Sequence, residues 1–126
     1  MSVLHDISAR GLARQLNQRS VSPRIVTEHY LRRIAAHNDR VGAFVEVTAD
    51  AAHERLAAVL PDAVRGPLWA VPFGDKDLSA RAGIATRYGS AAFRSFVPEA
   101  SDPLVTALDA TGGISLGKTA TPEFGM

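Results

Sequence analysis

The chain changes character at Gly66-Pro67, and no other feature restricts its fold as much. Before this point apolar residues recur at helical spacing. After it, short apolar runs are cut by Gly83, Gly89, Gly112, Gly113, Gly117 and Gly125. A long helix does not survive such punctuation. Residues 66–126 are therefore expected to form strands and loops, laid against a helical region of residues 1–62. The fold class that follows is α/β.

Three helices are expected before Gly66. Ser8 is placed to cap the first, with Ile7 and Leu12 as a hydrophobic staple and Leu16 on the same face. Ser22-Pro23 opens the second, since proline at the first helical position sacrifices no intrahelical bond. Val26, Tyr30 and Ile34 carry its stripe, with Leu31 and Ala35 alongside, to about His37. Asn38 to Gly42 reads as a turn and Ala43 to Val47 as a strand. A third helix, capped by Thr48 or Asp50, carries Leu56, Val59 and Leu60 and stops at Pro61-Asp62. Beyond Pro67 a single helix is expected, capped by Ser101 or Asp102, with Leu104, Val105 and Leu108 inward and Gly112-Gly113 as its stop. Ile114 to Gly117 follows as a strand.

Composition removes several functional classes. The 126 residues hold 14 Lys+Arg against 13 Asp+Glu, a formal charge of +1, with 46% hydrophobic residues. Neither disorder nor a field that gathers nucleic acid follows from that balance. With no cysteine there is no disulfide, thiol nucleophile or thiolate metal site. No apolar run is long enough to span a bilayer, and the first residues lack the pattern of a signal peptide. The expectation is a cytoplasmic protein. Only Lys76 and Lys118 are lysines; every other basic residue is an arginine, which stays protonated in proteins. Proton transfer by a basic side chain is therefore sought at those two.

Gly112 to Thr119 satisfies GxxxxGK(S/T), the phosphate-cradling loop. That loop needs a strand before its first glycine and a helix opening at the lysine. Here a helix precedes it and Pro122 follows, so a glycine stop and then a strand is the better reading, with a nucleotide binder kept as an alternative. His53-Glu54 is not followed by a second histidine at zinc-binding spacing, and no GxSxG elbow occurs. His5, His29, His37 and His53 read as surface groups. Asp75 and Asp77 have the spacing of a metal or acid/base pair, but hydrogen bonding or solvation explains them as well, and neither a metal nor a cofactor is expected.

The run from Gly66 to Asp77, then Ala82 to Thr86, Gly89-Ser90, Ser101-Asp102-Pro103, Gly117-Lys118-Thr119 and Pro122-Glu123-Phe124, resembles the N-terminal part of the amidase signature family, in order and spacing. The resemblance implies a mixed sheet and amide hydrolysis by a nucleophilic serine, a bridging serine with a cis peptide bond, and a lysine base. Lys76 matches that lysine. The serines and their Gly/Ser-rich signature would lie beyond Met126, so the chain is expected to be a truncated N-terminal part of a single amidase domain, inactive alone.

The residues around Lys76 suit such a base. Alternation along a strand turns Asp75 and Asp77 away from it. Burial would lower its pKa and free the amine to take a serine proton. Gly74 would leave room for the lysine arm or another backbone. Lys118 is expected to bond carbonyls of a neighbouring loop or reach water, roles an arginine could also fill. The expected substrate is a small-molecule amide, with no direct nucleic-acid or membrane partner and either a second copy or a partner subunit. Two alternatives remain: the glutamine-hydrolysing subunit of a tRNA-dependent amidotransferase, and a non-catalytic amidase-like interaction module.

Overall fold

A computed structural model describes residues 3–61 and 65–126. Helix α1 (Ala9–Asn17) starts where Ser8 Oγ accepts the Gly11 N–H at 3.2 Å, and it buries Leu12, Ala13 and Leu16. Helix α2 (Pro23–Val41) has proline in its first turn and buries Val26 and Thr27. It runs beyond the expected end at His37 and absorbs most of the expected turn. Its stop is Gly42, whose φ of 61° is the left-handed conformation that a residue without Cβ adopts freely. Asn38, now helical, works as a bracket: its amide donates to the Phe44 carbonyl at 2.9 Å and accepts the Phe44 N–H at 2.8 Å.

That bracket launches strand β1 (Phe44–Val47), and Thr48 then holds the N-cap position of α3 (Ala49–Val59) without a side-chain hydrogen bond; α3 buries Ala52, Leu56 and Val59. Asp62, half of the expected stop, lies outside the described residues. Residues 67–70 form a turn, and β2 (Pro72–Lys76) starts at the proline. Helix α4 (Pro103–Ala110) buries Val105, but Leu104, expected inward, is exposed. Eight residues make barely two turns, and Val105 with half-buried Leu108 already fills the inward line. Strand β3 (Ile114–Thr119) follows directly.

The sheet has the order β1-β3-β2. β3 is antiparallel to β1, with Glu46 opposite Lys118, and parallel to β2, with Asp75 opposite Lys118 and Lys76 opposite Thr119. The parallel pair requires a crossover, which residues 77–113 supply with α4 at their end. The core joins Leu12, Leu16, Val26, Leu56 and Val59 from the helices to Trp69, Val71, Ile114 and Leu116. Trp69 closes it, donating its indole N–H to the Val59 carbonyl at 2.9 Å under the Arg65 guanidinium at 3.9 Å. No helix among the described residues is long and apolar enough to cross a membrane.

Candidate active site

Asp75 and Lys76 at the end of β2 and Asp77 just after it alternate: both aspartates are buried and Lys76 is exposed. The expected separation of the lysine from its neighbouring carboxylates is therefore present. The expected burial is not, because no described element covers Lys76. Gly74 differs from expectation too. A Cβ there would meet the Thr119 methyl at 2.6 Å and the Phe44 ring at 3.2 Å, so its missing side chain accommodates other side chains and not the lysine arm or a backbone.

On the buried face the carboxylates are fully engaged. Arg81 grips Asp75 with Nε at 2.5 Å and Nη2 at 3.2 Å, and Ser115 Oγ donates to the same carboxylate at 2.8 Å. The other side of that guanidinium meets Asp109 of α4 at 2.9 to 3.1 Å. Burial works against the Arg81 charge, but the hydrogen bonds it donates to Asp75 and Asp109 outweigh that and hold its pKa above the ordinary value. Asp77 accepts the Arg87 N–H on both oxygens at 3.2 Å, and its backbone receives the Tyr88 N–H and donates to the Thr119 carbonyl.

Lys118 is the buried lysine, with no exposed surface. Its ammonium donates to the Ser79 carbonyl, the first of the two roles expected for it. Burial pushes its pKa down, Arg81 pushes the same way, and Asp75, Asp77 and Asp102 pull upward without restoring it. The lysine with the depressed pKa is thus enclosed, and the lysine open to an incoming group is Lys76. The phosphate-loop match fails on geometry, because Gly112 follows the end of α4 and residues 114–119 are a strand with Lys118 turned into the protein. His5 and His37 are exposed, while His29 and His53 are half-buried, and none approaches this region in its hydrogen bonds.

Sequence reasoning missed Arg81 and Asp109. The available signal was that two inward carboxylates on one strand demand a cation or several N–H donors nearby. Only the fold says which of twelve arginines supplies it.

Residues 25–126 match the Amidase family. The chain belongs to that family. It is 33% identical, over its whole length, to a glutamyl-tRNA(Gln) amidotransferase subunit of Psychrobacter cryohalolentis, covering 26% of that protein. The chain therefore spans about a quarter of the length of the curated relatives it matches. Among solved structures it is similar to the peptide amidase of Stenotrophomonas maltophilia, at TM-score 0.81 and 32% identity over 93% of this chain and 25% of that one. A 6-aminohexanoate cyclic dimer hydrolase superimposes with TM-score 0.88 over 98% of this chain and 25% of the hydrolase; at 21% identity that likeness speaks for the fold alone. The α/β expectation, with helices followed by part of a mixed sheet, is met by these amidase-family folds.

Proposed function

We propose that residues 1–126 are the lysine-bearing N-terminal part of a single amidase domain, and that Lys76 is the base of an amide-hydrolysing enzyme. The observation that carries the reading is Lys76 standing exposed on β2 while Asp75 and Asp77 are held on the other face. A base must shed its proton near neutral pH, and a carboxylate at its side would oppose that. The serine nucleophile, its bridging partner and the oxyanion donors are assigned to sequence outside these residues. A small-molecule amide is the proposed substrate, in the cytoplasm. A second reading is favoured by the 33% identity, over the whole chain, to a subunit of glutamyl-tRNA(Gln) amidotransferase: glutamine would be the amide and partner subunits would be required.

The test joins residues 1–126 to the remaining three quarters of the Stenotrophomonas maltophilia peptide amidase, in place of its matching quarter. Turnover of simple amides is expected, and both Lys76→Ala and Lys76→Arg should lower kcat/KM by about 10²- to 10⁴-fold, since arginine cannot serve as the base. The purified 126-residue chain should hydrolyse no amide, because the catalytic groups act as a unit. Near-normal turnover by Lys76→Arg would falsify the assignment. Hydrolysis of glutamine in preference to other amides would favour the second reading.

A further inference from the structure

The side chain with most control over the strand of Lys76 is not in that strand. Arg81 spans two carboxylates, Asp75 on β2 and Asp109 on α4, using all three of its guanidinium nitrogens. The arrangement continues on both sides. Ser115 of β3 donates to Asp75, and Arg55 of α3 donates to the Asp109 carbonyl at 2.6 Å. Its loop is braced as well: the Ala80 N–H donates to Asp102 at 2.8 Å, Lys118 donates to the Ser79 carbonyl, and Arg81 bridges to Ile84.

The consequence reaches Lys76. With Asp75 fixed on the buried face by Arg81 and Ser115, the alternation of the strand commits the next residue to the open face. We infer that Arg81 is a positioning residue for Lys76, setting its facing from the far side of β2; the inference rests on the reading of Lys76 as the base. Removing the guanidinium leaves Asp75 buried without its cation, a costly arrangement. Turning β2 to bring that carboxylate to water carries Lys76 inward, and its amine is then less open to an incoming group.

With two lysines in the chain, the test is direct. The 126-residue protein is treated with an acetylating ester at fixed pH near 8.5, and the acetylation rate of each lysine is followed by peptide mass spectrometry, buried Lys118 reporting that the fold persists. Arg81→Met is expected to slow Lys76 acetylation by about threefold or more as the strand turns to expose Asp75, and Asp75→Asn in the same chain is expected to restore it. A purely structural Arg81 would lower thermal stability without moving that rate in the folded protein. Should Arg81→Met not fold, Arg81→Lys keeps a charge but cannot span both carboxylates, and its rate should fall between wild type and the threefold loss. A folded Arg81 variant with the wild-type Lys76 rate, or a double variant that fails to recover, overturns the inference. Failure of the base reading is separable: it appears as amide turnover that survives Lys76→Ala, which leaves the acetylation result untouched.

Discussion

Lys76 and Lys118 are near neighbours across two paired strands, yet one lies open and the other is enclosed, and at the residue scale this contrast decides what a substitution costs. Lys118→Met leaves the half-buried Ser79 carbonyl without its donor, an expected loss of about 1–3 kcal/mol in chemical denaturation. Lys118→Arg is expected to destabilise by a comparable amount, about 1–3 kcal/mol, because a guanidinium is larger than the space of a fully buried ammonium. The full burial of Lys118 thus adds a packing cost to the expectation that an arginine could also fill its role. The sign of the pH response follows from the depressed pKa of Lys118 in the folded protein. The unfolded chain, with its ordinary value of 10.5, binds the proton more tightly. The stability contributed at this site is therefore constant at lower pH and rises as pH climbs from the folded value towards 10.5. Denaturation curves across alkaline pH should show that rise in the wild type and lack it in Lys118→Met. The separation of Lys76 from Asp75 and Asp77 could be foreseen because alternation is a property of any strand, whereas the choice of Lys76 as a base rests on the family resemblance. The burial of Lys118 could not, because it depends on the loop of Ser79 and on Asp102, elements distant in sequence.

Among the elements, local signals were most legible where a single residue is sufficient. Ser8 caps α1, Pro23 opens α2, and the strands after Asn38 and Gly113 appear where short apolar runs placed them. The end of α2 was misplaced because Asn38 and Asp39 have turn chemistry, yet the chain spends Asn38 on β1 instead of on a turn. Its two hydrogen bonds give a measurable prediction: Asn38→Ala should cost about 1–3 kcal/mol and raise amide exchange at Phe44 and the following strand residues, with little change in α3. Lost exchange protection spread evenly over all helices would contradict that local role. The exposure of Leu104 on the expected face of α4 could not be read from its sequence, since the inward line of a two-turn helix is chosen by the contact of its Asp109 with Arg81 as much as by hydropathy.

At the scale of the whole molecule, membership of the amidase family was readable because several weak blocks stand in order between residues 66 and 126, a pattern that needs no knowledge of tertiary contacts. The sheet order was not readable from periodicity, and it carries its own prediction. Among the described residues β1 and β2 do not pair with each other; each pairs only with β3. A chain ending at Gly113 should retain helical circular dichroism from α1 to α3 but lose cooperative thermal unfolding and the native fluorescence of Trp69; a sharp transition preserved in that variant would refute the dependence on β3. The same order has a consequence for synthesis. As the polypeptide leaves the ribosome its first two strands emerge with no partner to bind, and the strand that joins them is the last of the three to appear. Sheet assembly therefore waits until about residue 119 has cleared the exit tunnel, and until then the exposed edges of β1 and β2 are open to chaperones and to other nascent chains.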